Sequence, residues 1–269
     1  MKPLIHSQIE RNRATQHRGV MDAPVLPRMK WPKQLPPLTP EQEAISDDFM
    51  QVWHQVLPAR YGMFEEFNHG FPIRRAPAFP GCRTLEIGPG LGGHVAHEDR
   101  AEQSYHCVEL RESMAQVIKQ RFPDVNVIVG DCQKRLPYPD EIFHRILAVH
   151  VLEHLPNLPA TIDEIWRLLD PNGVLCAVIP CDPGFVYGIG RKLSAERIFK
   201  RRYRLPYGWF IGREHINSPA EVMWLLEQKL SIFETQYFPL RLPIVNLNLC
   251  IGLVARKKTA SESSPHDGE

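Results

Sequence analysis

The sequence predicts a doubly wound α/β fold, a parallel sheet with helices on both faces. Three observations predict it. From Cys82 to about Pro180, strand-like apolar runs alternate with segments of helical spacing, the pattern of βαβ units. The first run, Arg83–Ile87, leads into Gly88, Gly90, Gly92 and Gly93, where a chain without Cβ atoms can approach a ligand closely. Two later strand-like runs, Ser231–Tyr237 and Leu247–Ala255, supply two further strands.

The elements follow in order. Residues 1–40 are rich in proline, arginine and lysine, show no period, and read as an extended arm. Thr39-Pro-Glu-Gln-Glu has the residues that start a helix, which should run through Phe49, Val52, Trp53 and Val56 and stop before Pro58. Residues 41–80 are therefore expected to form a lid or flank ahead of a core domain at 81–258. Within the core, strands are expected at Arg83–Ile87, Ser104–Glu109, Val125–Val129, Phe143–Val149 and Val174–Ile179. Helices are expected over Gly92–Glu98, over Ser113–Arg121 with Met114, Val117 and Ile118 on one face, and over Leu158–Leu169 through Ile162, Ile165 and Trp166. Residues 182 to about 217 break the alternation and look like an inserted cap, followed by a helix from Ser218 through Val222, Leu225 and Leu226. The tail 259–269 is small, polar and reads as disordered.

Composition narrows the class. The 269 residues carry a formal net charge of +1, so no overall field recruits nucleic acid and no such partner is expected. The six cysteines are scattered without a C-x-x-C pair, which is neither a disulfide framework nor a zinc ribbon. No apolar run is long enough to span a membrane, and the first residues lack the apolar stretch of a signal peptide. A cytoplasmic location is the expectation.

The loop Gly88–Gly93 fits two ligands. It satisfies G-x-G-x-x-G, with Glu109 placed where a dinucleotide fold would hold a ribose. An acid there suits any ribose, so Glu109 does not discriminate. Glu86 does: two residues ahead of the glycines, it would repel a pyrophosphate and attract the ammonium of an amino-acid-like ligand. Gly130-Asp131-Cys132 follows the third strand, where an exocyclic adenine amine could be bound.

Leu85-Glu-Ile-Gly-Pro-Gly-Leu-Gly92, Val108-Glu-Leu110, Gly130-Asp131, Val151-Leu-Glu-His-Leu155 and Leu168-Leu-Asp-Pro-Asn-Gly-Val-Leu175 stand in one order over about a hundred residues. In this, residues 83–180 resemble the core of a class I S-adenosylmethionine-dependent methyltransferase of the type 11 kind. The resemblance implies a seven-stranded Rossmann-like sheet with an antiparallel C-terminal hairpin, which the strands within 231–255 fit, and S-adenosylmethionine as cofactor. It places Glu86, Gly88, Pro89, Gly90 and Gly92 by the methionine part, Glu109 and Leu110 by the ribose, and Asp131 and Cys132 by adenine. His150 would face the sulfonium. It says little about the methyl acceptor.

For an alcohol acceptor a base is needed, and histidine suits neutral pH. The candidates are His150, His154 and His215, the last two also explicable as a helix-start and a loop residue. His150, Glu153 and His154 have helical spacing that could imitate a metal site, but no further ligand cluster is visible and no metal is expected. In the cap, Arg201, Arg204, Tyr207 and Arg213 are candidates for holding the acceptor. The basic run Lys200-Arg-Arg-Tyr-Arg204 is either a solvated helix face or a site for an anionic or lipid-linked acceptor or an acidic membrane surface. Phe199, Tyr203, Tyr207, Trp209 and Phe210 could offer rings to a sugar or lipid. The expected function is methyl transfer to a small molecule or saccharide, on oxygen. An NAD(P)-dependent oxidoreductase or epimerase, and a methyltransferase-like binding protein without turnover, are the alternatives. The oligomeric state is not legible.

Overall fold

A computed structural model describes residues 30–56 and 62–259. The chain divides into Met1–Lys30 and Trp31–Glu269, and the fold is that of the second unit. The arm expected over residues 1–40 lies outside the described residues up to residue 29, as does the end of the tail from residue 260.

The helices α1 (Pro40–Val56) and α2 (Gly62–Arg75) precede the sheet. The first strands and helix are β1 (Arg83–Ile87), β2 (Ser104–Glu109), α3 (Glu112–Arg121), β3 (Asn126–Val129) and β4 (Phe143–Val149). Then come α4 (Leu158–Leu168), β5 (Leu169–Pro180), the cap helices α5 (Phe185–Leu193), α6 (Ala195–Tyr203) and α7 (Gly208–Glu214), α8 (Pro219–Lys229), β6 (Leu230–Phe238) and β7 (Cys250–Lys257). The seven strands stand in the order β3-β2-β1-β4-β5-β7-β6. All pairs are parallel as far as β5, and β7 pairs antiparallel with both β5 and β6. The order reverses between β1 and β4, which opens a crevice at their carboxyl ends.

Strand alternation sorts the core onto two faces. Leu85, Ile87, Ile146, Ala148, Leu175 and Ala177 meet Ile162 and Ile165 of α4 and Val222 and Leu226 of α8. The intervening Tyr105, Cys107, Leu147, Cys176 and Val178 meet Phe67 and Phe71 of α2 and Ile118 of α3. A sheet buried on both sides needs apolar residues at consecutive positions. That is why its strands were readable. A third cluster joins Phe49 of α1 to Phe199, Tyr207, Phe210 and Ile211 of the cap, with Phe49 edge-on to Phe199 and Phe210 at 5.0 and 5.1 Å. All six cysteines are free and buried, as expected of small core residues.

Three local expectations are corrected. Gly92–Glu98 is not a helix but a turn with one 3-10 segment, Val95–His97. Gly92 has φ +78°, and Glu98 is drawn down to Arg145 of β4, which accounts for the unwound crossover. Trp166 does not join the inner face of α4; it is 42% exposed, with Lys257 4.5 Å above its ring. Leu169 belongs to β5 rather than to the preceding helix.

Candidate active site

The glycine loop leaves β1 with Gly88, Gly90 and Gly92 at φ +61°, +59° and +78°, a region side chains disfavour. A Cβ on Gly88 would come within 2.7 Å of Val151, so the loop lies directly against the chain leaving β4. Glu109, at the end of β2, caps the loop by accepting from Gly90 N (3.1 Å) and from Arg111 N (2.9 Å). Beside it Leu110 is 64% exposed. Asp131, after β3, accepts from the backbone N and the amide of Gln133, both at 3.0 Å. Cys132 is buried with Sγ 4.0 Å from Thr161 Oγ1, and burial pushes its thiol up to about 12.

Glu86 is not where the sequence expectation put it. It stands opposite Cys107 and Leu147, on the face covered by α2 and α3, and is 2% exposed. Tyr105 OH donates to its Oε2 at 2.7 Å. Burial raises its pKa to about 8; the Tyr105 bond opposes this, and Glu98 adds to it. Without a cation beside it, this buried carboxyl holds its proton and serves as a hydrogen-bond partner of Tyr105. Nearby, Arg145 is 1% exposed and donates twice to Glu98, at 2.8 and 2.6 Å, with His94 2.9 Å from the same carboxylate. For Glu98 burial alone would raise the pKa, but His94 and Arg145 outweigh it and hold the carboxyl far below its usual range.

Across the crevice the structure brings His150, His154 and His215 together around one buried carboxylate. His150 directly follows β4, with φ +53° and its N–H donating to Val178 O. Such backbone strain in a non-glycine residue is held only by its surroundings. Its ring stacks on Phe64 at 5.5 Å. Its Nδ1 is 3.3 Å from Glu153 Oε1, while Nε2 has no hydrogen-bond partner among the described residues. Glu153, in the 3-10 turn Leu152–His154, is 1% exposed. Burial would raise its pKa, but His154, then His150 and His215, pull it below the usual value. For His154 desolvation is the largest influence and lowers the imidazole pKa; Glu153 opposes it and His215 adds to it.

His215 arrives from the cap. Ile216 N and Asn217 N donate to Glu153 O at 2.9 and 3.0 Å, and the Asn217 amide donates to Leu152 O and Leu155 O. These bonds zip the end of the cap onto the turn after β4. His215 Nδ1 lies 2.9 Å from Asp182 Oδ2, which also takes Arg191 Nη1 at 2.8 Å. The sequence singles out Glu153 only for its spacing with His150 and His154, and Asp182 not at all. Their roles depend on contacts that no local pattern announces.

The cap candidates divide. Arg201 and Arg204 are exposed. Arg213 donates to Pro36 O and ties the cap to the segment before α1. Tyr207, with Phe199 and Phe210, is buried in the third cluster, so those rings are core rather than a platform for an acceptor. Within the basic run Lys200 pairs with Glu196 at 2.5 Å and Arg202 with Asp48 at 2.7 Å.

With this geometry in place, the comparisons give the class. Residues 85–177 match the methyltransferase domain family, so this part of the chain is a methyltransferase-type domain. It is 32% identical over 114 residues to a chloroplastic 2-methyl-6-phytyl-1,4-hydroquinone methyltransferase of Oryza sativa subsp. japonica, covering 39% of this chain and 33% of that one. It is 30% identical over 140 residues to a ubiquinone/menaquinone biosynthesis C-methyltransferase of Bordetella avium, covering 46% and 54%. The chain thus spans about a third to a half of the length of these relatives. Other relatives are named as O- and N-methyltransferases. A TehB-like methyltransferase structure from Corynebacterium glutamicum shares the fold with TM-score 0.52 and 19% identity, over 80% of this chain and 100% of that one.

The cofactor is accordingly S-adenosylmethionine. The residues fit it where Gly88 and Gly90 turn the backbone with positive φ at the end of β1 and where the Glu109 carboxylate can accept from ribose hydroxyls.

Proposed function

We propose that this protein transfers a methyl group to the oxygen of a small hydroxyl-bearing acceptor, with His150 as the base. Bound S-adenosylmethionine supplies an electrophilic methyl on a sulfonium. The supporting observation is His150 itself. It directly follows β4 beside the glycine loop, with Nδ1 toward the buried Glu153 carboxylate and Nε2 uncommitted. A carboxylate on one ring nitrogen fixes the tautomer that leaves the other free to accept a proton. Phe64 covers the ring and limits water at the reacting centre.

The same reading favours an acceptor with an apolar part. Phe185, Ile189 and Leu193 lie exposed at i, i+4 and i+8 on α5, and Leu240, Leu242, Ile244 and Leu247 are exposed in the β6–β7 connection that α5 packs against. Lys192, exposed in the last turn of α5, adds a positive charge to that helix, which suits a lipid-linked or anionic acceptor. Among the described residues no helix is long and apolar enough to cross a membrane. Residues 182–217 are read as the cap over this acceptor side and 41–80 as its flank.

The test is calorimetry with S-adenosylhomocysteine and NADH, followed by radiolabelled methyl transfer to a panel of phenols, saccharides and prenylated hydroquinones. S-adenosylhomocysteine binding with O-methyl product, reduced at least about a hundredfold in kcat by His150→Ala, is expected. Binding of NADH alone would reverse the assignment, and a C- or N-methyl product would refute oxygen as the target.

A further inference from the structure

We propose that Glu153, His154 and His215 form a binding site for one divalent transition-metal ion, with Asp182 as the carboxylate that orients His215. Each of the three offers one donor atom, and the donors lie within 4.8 Å of one another. Tetrahedral zinc bonds of about 2.0–2.1 Å set donors roughly 3.3 Å apart, within reach of small side-chain rotations. Two imidazoles and a carboxylate are the donors of catalytic zinc and non-haem iron sites, and do not suit magnesium.

Two independent observations point to a ligand. Glu153 is 1% exposed, yet its Oε2 has no hydrogen-bond partner among the described residues. A buried carboxylate oxygen without a donor is costly, and a cation answers it. His215, meanwhile, already has the surroundings of a metal ligand. Its Nδ1 is held by Asp182 at 2.9 Å, and Asp182 is fixed in turn by Arg191, which directs Nε2 to act as the donor. The rings of His154 and His215 stand edge-on with centroids 5.3 Å apart, a separation two imidazoles on one ion can have.

The sequence shows no third ligand beside Glu153 and His154, because His215 comes from the cap, far along the chain, and bonds from Ile216 and Asn217 to the turn after β4 bring it in. Such a site has an open position, since it uses three protein ligands. An acceptor hydroxyl bound there is acidified by the ion, and its proton can pass to His150 Nε2, which remains outside the ligand set.

Untagged full-length protein, stripped by chelator, is titrated with Zn2+ by calorimetry and its metal content measured by mass spectrometry, with S-adenosylhomocysteine binding measured alongside. One equivalent of Zn2+ is expected. His215→Ala should weaken it by at least about a hundredfold and Asp182→Asn by about 10–100-fold, both retaining S-adenosylhomocysteine affinity. Absence of stoichiometric Zn2+, or His215→Ala binding it as tightly as the parent, overturns the site. Should a variant not fold, Co2+-loaded parent protein decides. The intense visible band of four- or five-coordinate Co2+ supports the site, and the weak spectrum of hexaaquo Co2+ overturns it. Loss of S-adenosylhomocysteine binding in the parent strikes the methyl-transfer reading instead and leaves the zinc result standing.

Discussion

Glu86→Gln separates the structural from the ligand-binding account of the acid ahead of the glycine loop. The carboxyl is buried, bonded by Tyr105, and titrates near 8 rather than the ordinary 4.5. A carboxyl whose pKa is higher in the folded than in the unfolded chain holds its proton more tightly in the native state. Its contribution is therefore intact at low pH and is lost as pH rises from about 4.5 through 8. Between pH 5 and 8 this group should lower stability by roughly 3–4 kcal/mol, at about 1.4 kcal/mol for each step of one in pH. Glutamine keeps an oxygen for Tyr105 and cannot ionise. Urea unfolding at pH 5, 6, 7 and 8, followed by circular dichroism, should show the variant gaining on the parent by that amount as pH rises. A parent-minus-variant difference that stays constant within about 1 kcal/mol from pH 5 to 8 would refute a buried, proton-holding Glu86.

Arg145→Met leaves the buried Glu98 carboxylate without its bidentate partner and should cost about 3–5 kcal/mol, a fall in Tm of about 10 °C. An unchanged melting curve would show the pair to be dispensable. Asn217→Ala removes the donors to Leu152 O and Leu155 O and should cost about 1–3 kcal/mol by urea midpoint; the same change should weaken Zn2+ binding, because His215 loses its anchor. Gly252→Ala would set a methyl 2.6 Å from the Phe71 ring, and the overpacking between β7 and α2 should lower stability by about 1–3 kcal/mol in the same assay. Gly88→Ala places a Cβ against Val151 at φ +61°, so S-adenosylhomocysteine should bind at least about tenfold more weakly while the melting temperature of the ligand-free protein falls less than for Arg145→Met.

The sequence by itself determined the succession of strands along the chain and the glycine loop. Each is a local pattern: consecutive apolar residues for strands buried on both faces, and glycines where φ must be positive. It also singled out His150, His154 and His215. What the tertiary structure alone decided is their surroundings. Glu86 turns inward because its neighbours on β2 and β4 are Cys107 and Leu147, and Tyr105 is there to bond it. The cap aromatics fill a core because Phe49 arrives from α1. His215 meets Glu153 and His154 because backbone bonds from Ile216 and Asn217 close a long loop onto the turn after β4. Charge state, burial and ligand sets depend on residues distant in the chain, and spacing along a sequence records none of those contacts.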